Sequence, residues 1–346
     1  MLNLVYKLFT SKGVTVNTLL TNKIINKLSN IRKMSDKEMR IETTFGQIAV
    51  KVWGNESQHK LKLLCVHGWQ DNAGTFDRLL PLLDLQSMYV LAVDLPGHGF
   101  SSHLPEGGLY TDLTWVIELK RIVDHLKWTK FSMLGHSMGA NASLHFALLF
   151  PDLVERVITI DTVKPAVFPV TEHASRLAKD IDNFLTLEER NQRLKKDHEF
   201  VFTYDRAISA LKVAHSAIGT LTAEGAACLL KRATKIKRQP SGETGYVFTR
   251  DYRLQNVINR KTDGESLKHY LSGIKCELLI VNAKSGLFTD RELQKVFIEM
   301  YADKCPKFEY LEVDGDHYVH LTRPYDVAPH IKRFLSPAID ELKATN

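Results

Sequence analysis

A serine between two glycines is the strongest chemical signal in the sequence. The GHSMG segment at residues 135–139 has G-x-S-x-G spacing and lies between the apolar run FSML and a stretch with helical character. In such a strand-turn-helix context the turn is sharp, and only small residues fit beside the serine. The hydroxyl is then exposed at the sheet edge, next to the free amides of a helix N-terminus. The pattern predicts that Ser137 is a nucleophile.

A late histidine is the predicted general base. His317 follows the apolar run FEYLEV and precedes the last helix, so we expect it on a loop at the sheet edge. The chain order of serine before histidine is typical of such a site. His320, one helical turn further on, is the competing candidate. His136 adjoins the nucleophile but is expected to point away from it, because adjacent residues diverge at a sharp turn.

Two backbone amides are predicted to stabilise negative charge on the substrate. The HGW turn at residues 67–69 follows an earlier buried strand, which favours the Trp69 N–H and the Met138 N–H as the oxyanion hole. The Trp69 side chain can also form an apolar wall of the pocket. The glycine turn at residues 94–101 is interpreted as structural, with His98 forming the turn.

Alternating strands and helices predict the scaffold that positions these residues. Each strand is a continuous apolar run, which favours an α/β fold with a mostly parallel sheet covered by helices on both faces. Residues 39–161 and 276–346 form the predicted core. Residues 162–275 are charged and helical in pattern, and predict a helical lid inserted into that core. Within the lid, residues 235–245 are expected to be a flexible loop.

The basic charge of the chain is confined to its start. The 346 residues carry a net charge of +6, and residues 1–33 hold six basic residues and no acidic one, which leaves 40 basic and 40 acidic residues elsewhere. The balance gives no support for nucleic-acid binding. Residues 1–38 are interpreted as an extension. Residues 1–33 fit a mitochondrial targeting segment and an unstructured tail on a cytoplasmic enzyme equally well.

Composition places the remainder among ordinary globular proteins. Hydrophobic residues make up 44% of the chain, and no run reaches the roughly eighteen apolar residues of a membrane span, so stable membrane insertion is not expected. The four cysteines are scattered and form no C-x-x-C pair, which favours a reducing compartment. The sequence calls for no metal or other cofactor, and it does not predict an oligomeric state.

Several segments together resemble a known family. GHSMGA, HGW, DLPGHGFSS and the late GDH resemble the serine α/β-hydrolases over residues 39–335. LTAEGAACLLKRAT, GYVFTRDYRL and SGLFTDR more specifically resemble the serine hydrolase-like group, which includes the kraken type of probable serine hydrolase. The resemblance implies the α/β-hydrolase fold and a hydrolase of unsettled substrate, with suggested roles in detoxification or digestion.

One position departs from the pattern of that fold. Most members carry the acid of the triad just after the next-to-last strand, where this sequence has Gly286. Asp161, at the end of the neighbouring strand VITID, is predicted to supply the acid of the triad instead. Asp290 is the runner-up, and Asp316 is too close in sequence to His317 to orient its ring easily.

These residues predict a serine hydrolase that cleaves an ester or related acyl bond of a small, apolar substrate through an acyl-enzyme. Carboxylesterase, lipase-like, thioesterase and C–C hydrolase activities all remain open. Haloalkane dehalogenases and epoxide hydrolases need a carboxylate nucleophile, so a serine at position 137 disfavours both. The alternative from another class is a ligand-binding protein that keeps the fold and an inactive site.

Overall fold

The computed structural model describes residues 37–344, apart from residues 60, 195–199, 240–241, 260 and 288–289. The chain divides into two units, Met1–Lys37 and Glu38–Asn346, and the central sheet and the candidate site belong to the second. The predicted targeting segment lies outside the described residues. Among the helices that the structure describes, none has the length and apolar character needed to cross a membrane.

An eight-stranded sheet in the order β1-β2-β4-β3-β5-β6-β9-β10 forms the centre of the fold. β2 pairs with β4 in antiparallel fashion, and every recorded pairing from β4 to β10 is parallel. The sheet strands are β1 (Lys37–Thr43), β2 (Gly46–Trp53), β3 (Leu61–Val66), β4 (Met88–Val93), β5 (Phe131–His136), β6 (Val154–Ile160), β9 (Glu277–Ser285) and β10 (Phe308–Asp316).

The central strands are buried on both faces. All six residues of β4 and all six of β5 are buried, as the continuous apolar runs MYVLAV and FSMLGH predict for a sheet covered on both sides. Helices flank the sheet, and the predicted fold class is confirmed. The core helices are α1 (Asp112–Leu126), α2 (Met138–Leu149), α7 (Arg291–Lys304), α8 (Val319–Thr322) and α9 (Pro324–Ala344).

The segment between β6 and β9 forms the lid. Its helices are α3 (His173–Leu194), α4 (Tyr204–His215), α5 (Ala223–Ala233) and α6 (Gly264–Leu271). α4 and α5 share a small apolar cluster with Tyr318 and Leu321 at the end of the core. The lid therefore packs directly beside the loop that carries His317.

The lid also contains a β-hairpin where a flexible loop was expected. β7 (Thr234–Arg238) pairs with β8 (Thr244–Phe248) in an antiparallel sheet, so the prediction of a loop was wrong for residues 235–238 and 244–245. The charged residues of this segment favoured an exposed loop. They are exposed, but they belong to a strand, β7, whose last four residues face solvent. Val247 of β8 is buried, which anchors the hairpin to the lid.

Candidate active site

Ser137 lies at a sharp turn between β5 and α2. Its backbone angles are φ 52° and ψ −116°, an uncommon conformation for a residue with a side chain. A Cβ on Gly139 would lie 2.1 Å from the Val66 carbonyl oxygen, and one on Gly135 would lie 2.5 Å from the Ala140 Cα. Backbone atoms lie so close to both positions that only glycine fits there. The two glycines therefore allow the sharp turn from which the serine projects at the end of β5.

His317 and Asp161 complete a hydrogen-bonded row with Ser137. The Ser137 Oγ lies 2.9 Å from the His317 Nε2, and the His317 Nδ1 lies 2.6 Å from the Asp161 Oδ2. His317 is 1% exposed and Asp161 2% exposed, whereas Ser137 is only partly buried. The row thus runs from a carboxylate in the protein interior to an accessible hydroxyl, the arrangement that activates a serine.

The Asp161 carboxylate is held by the ends of two strands. Its backbone adopts a positive φ of 50° directly after β6. Besides His317, its oxygens accept hydrogen bonds from the amides of Ala283 at 3.0 Å and Leu287 at 3.2 Å. A Cβ on Gly286 would lie 2.0 Å from the Asp161 Oδ1. The glycine therefore leaves the space that the carboxylate fills.

Two amides lie beside the serine where an oxyanion hole is predicted. Met138 is the first residue of α2, so its N–H has no acceptor within the helix. A Cβ on Gly68 would lie 3.3 Å from the Ser137 Cβ, which places the HGW turn against the nucleophile. Within the described residues, no hydrogen bond is recorded from the Trp69 N–H. The Trp69 indole donates to the Leu254 carbonyl oxygen at 2.6 Å and remains 37% exposed.

The chain is similar to proteins of one family along most of its length. The alpha/beta hydrolase fold family matches residues 63–215. A serine hydrolase-like protein of Danio rerio is 38% identical over 308 residues, which cover 87% of this chain and 88% of the relative. A probable serine hydrolase of Drosophila melanogaster is 34% identical over 305 residues, with coverage of 87% and 88%. The chain belongs to the serine hydrolase-like family.

A solved structure supports the same assignment of the fold. A hypothetical protein of Pseudomonas aeruginosa is 26% identical and superposes with a TM-score of 0.72 over 87% of this chain and 99% of its own. The family and the fold together support hydrolase activity in general, and they imply a small-molecule substrate.

The competing candidates for the acid and the base lie elsewhere. Asp290 caps the N-terminus of α7, where its carboxylate accepts from the Leu293 N–H at 3.0 Å. His320 is fully buried, and its Nε2 pairs with the Thr75 hydroxyl at 2.7 Å. Neither is recorded in contact with Ser137 or with its partners in the row, among the residues that the structure describes.

Two buried imidazoles lie close to His317, and neighbouring rings are tilted against each other. The His136 ring centroid lies 4.7 Å from that of His317 and 4.1 Å from that of His320, and the His136 Nε2–H donates to the His317 carbonyl oxygen at 2.8 Å. Burial lowers the pKa of His320 to about 4 and, with the neighbouring imidazoles, holds the pKa of His136 well below its usual range. Near neutral pH these rings are therefore uncharged and do not oppose a positive charge on His317.

The lid contacts Asp316, the residue before His317, and Asp71, which follows the HGW turn. The Thr220 N–H, just after α4, donates to the Asp316 carboxylate at 2.7 Å. The His215 Nε2, at the end of α4, lies 3.2 Å from the Asp71 Oδ1, and both side chains are buried. Sequence reasoning missed Asp71 and His215, because no motif marks either one.

Proposed function

We propose that this protein hydrolyses an ester or related acyl bond with Ser137 as nucleophile, His317 as general base and Asp161 as the acid of the triad. The observation that carries the proposal is the unbroken row from the Ser137 Oγ through both ring nitrogens of His317 to the Asp161 carboxylate. Such a row raises the reactivity of a hydroxyl that is a weak nucleophile by itself.

In the first step His317 accepts the Ser137 proton at Nε2, and the serine oxygen attacks the substrate carbonyl. Asp161 accepts a hydrogen bond from Nδ1 throughout, which fixes the tautomer and stabilises the imidazolium. The amides of Met138 and Trp69 stabilise the negative charge on the carbonyl oxygen. His317 then returns the proton to the leaving group, and water activated by the same ring releases the acyl group.

The reacting carbonyl enters beside an apolar surface. The exposed part of Trp69 and the partly buried Met138 flank the serine, which suits an apolar portion of a small acyl substrate. The lid residues that contact Asp316 and Asp71 border the same region and set the shape of the bound molecule.

The proposal is tested by hydrolysis of p-nitrophenyl esters of increasing acyl length. Ser137→Ala should abolish turnover, since it removes the attacking oxygen and no core volume. His317→Ala should lower kcat by roughly 10⁴- to 10⁶-fold, because the row acts as a unit. Ser143→Ala is the matched control, since Ser143 lies on the same helix and its hydroxyl, within the described residues, is recorded donating to the Gly139 carbonyl oxygen alone.

Ser143→Ala should retain turnover close to that of the wild type. Retained activity in Ser137→Ala would exclude the nucleophile, and equal loss in His320→Ala and His317→Ala would remove the distinction between the two histidines. Absence of hydrolysis and of covalent labelling in the wild type would favour the ligand-binding alternative.

A further inference from the structure

An arginine of the lid lies next to the turn that carries Trp69. Arg250 follows the β7–β8 hairpin, and the adjacent Asp251 N–H donates to the Gly97 carbonyl oxygen at 2.9 Å. Four residues further on, the Leu254 carbonyl oxygen accepts the Trp69 indole N–H at 2.6 Å. The backbone around Arg250 is therefore fixed to the core, on the side of the oxyanion-hole turn.

Arg250 differs from Arg232 and Arg253, two buried arginines of the same part of the lid. Arg253 bonds a buried carboxylate and three backbone carbonyl oxygens, and Arg232 pairs with Asp94 and Glu38. Arg250 is also partly buried, yet no hydrogen bond or ion pair to its guanidinium is recorded within the described residues. A cation removed from water without a partner is costly, and an anion from outside the chain would relieve the cost.

Asp71, the acidic group whose charge acts on Arg250, already has other partners. Burial lowers the pKa of Arg250, and the Asp71 charge only partly offsets that effect. Asp71 already bonds the His215 ring at 3.2 Å through Oδ1 and the Thr75 hydroxyl at 3.2 Å through Oδ2, and no bond from Arg250 to either oxygen is recorded within the described residues. Burial holds the pKa of His98 well below its usual range, and the positive charge of Arg250 makes a smaller contribution in the same direction. The His98 ring accepts a hydrogen bond from the Gln70 N–H, next to Trp69 in the chain.

We propose that Arg250 binds a carboxylate of the substrate, so that the preferred substrate is an acyl compound carrying one acidic group besides the bond that is cleaved. The inference rests on the proposed function of Ser137 for its setting, and it adds a class of substrate to it. A guanidinium fits a carboxylate because its planar N–H groups can form two parallel hydrogen bonds. The apolar surface at Trp69 then holds the chain that joins the acid to the reacting carbonyl.

The test compares charged and uncharged esters of the same acids. Monoethyl esters of succinic, glutaric and adipic acid carry one carboxylate, and the diethyl esters carry none. The wild type should prefer one or more of the monoethyl esters in kcat/KM. Arg250→Met should lower kcat/KM for the preferred monoethyl ester by about 10- to 100-fold, the usual effect of losing a charge-assisted hydrogen bond, and leave the diethyl esters nearly unchanged.

Two further variants separate charge from structure. Arg250→Lys keeps the positive charge and should retain part of the preference, whereas Lys231→Met removes an exposed cation from α5 and should retain all of it. Equal loss on both classes of ester in Arg250→Met would show that Arg250 supports the fold only. Equal use of both ester classes by the wild type would overturn the proposal outright.

A binding measurement keeps this inference separate from hydrolysis. Isothermal titration of the full-length Ser137→Ala protein with the monoethyl esters should show binding that weakens at least about tenfold when Arg250→Met is added. Arg250-dependent binding in a protein that hydrolyses no ester would retain the anion site and contradict the proposed function. Binding that is equal with and without Arg250 would overturn the anion site, whatever the hydrolysis.

Discussion

Asp161 and Gly286 occupy neighbouring strand ends and compete for one space. The Asp161 carboxylate fills the position that a side chain at residue 286 would take, since a Cβ there would lie 2.0 Å from its Oδ1. The acid of the row therefore comes from the end of β6, while the end of β9 supplies a glycine and two amides. We infer that an acidic group can reach His317 from either strand, provided that the other residue is small.

Amidation of the acid gives the first prediction. Asp161→Asn should lower kcat for a p-nitrophenyl ester by about 10³- to 10⁴-fold, because the amide no longer holds the required tautomer of His317 or stabilises its charge. Asp290→Asn is the matched control and should leave kcat and stability nearly unchanged, because asparagine caps a helix about as well as aspartate. A large loss of kcat in the control instead would move the acid to Asp290.

Exchange of the two residues gives a second test of the same space. Asp161→Gly should lower kcat as much as Asp161→Asn does. If the carboxylate of an added Gly286→Asp reaches His317, log kcat should rise again by at least about a tenth of that decrease. Gly286→Asp alone should lower the melting temperature, because two carboxylates cannot share the site. No recovery in a folded double variant would contradict the shared space.

The order of the chain predicted these residues only in part. The GHSMG motif and the late histidine predicted Ser137 and His317, because the spacing itself reflects the sharp turn and the last loop. Asp161 could be named from its strand end, but a sequence cannot show that the carboxylate and Gly286 meet. Arg250 could not be found at all, since a sequence does not show which arginines form ion pairs.

At the scale of elements, buried polar pairs attach the lid to the core. Arg232 of α5 forms charge-assisted bonds to Asp94, which lies directly after β4. His215 of α4 pairs with Asp71, which follows the HGW turn at residues 67–69. These pairs join segments far apart in sequence, so the lid and the turn beside Ser137 are positioned together.

The pair of His215 and Asp71 makes the attachment depend on pH. Burial opposes both charges, but the hydrogen bond and mutual attraction outweigh it, so the pKa of His215 is raised and that of Asp71 is lowered. Charged His215 stabilises the fold fully at pH values below its pKa in the unfolded chain, near 6.5. The stabilisation is lost as the pH rises through the pKa of His215 in the folded protein. The charged Asp71 carboxylate stabilises the fold above about pH 4, and this stabilisation is lost in stronger acid.

His215→Gln tests this attachment. The glutamine can still donate to Asp71 but carries no charge, so the variant should melt below the wild type between about pH 4 and 6.5. The difference should shrink as pH rises past the titration of His215. The measurement is the melting temperature of both proteins across that range, and a difference that does not change with pH would show that His215 carries no charge in the folded protein.

Patterns of the core elements were easier to predict than those of the lid. A strand buried on both faces is a run of apolar residues, and β4 and β5 follow that rule closely. The β7–β8 hairpin does not, because most of β7 faces solvent and its residues are charged. Its stability comes from pairing with β8 and from the buried Val247, which are tertiary features.

At the scale of the whole molecule, the candidate site forms where four distant parts of the chain meet. β5 with α2 supplies the serine, the end of β6 the acid, the loop after β10 the histidine, and the turn after β3 the second amide. The parallel strands bring their carboxyl ends to one edge of the sheet, which is where ligands bind in open α/β sheets. The lid covers the same edge and adds Arg250 and His215.

Covalent labelling tests the central claim, that Ser137 is activated by this arrangement. Intact-mass spectrometry of the full chain after reaction with a fluorophosphonate should show one adduct, and peptide mapping should place it on Ser137. Ser137→Ala should show no adduct, and Ser143→Ala should be labelled like the wild type. An unlabelled wild-type protein, or an adduct that persists in Ser137→Ala, would contradict the account.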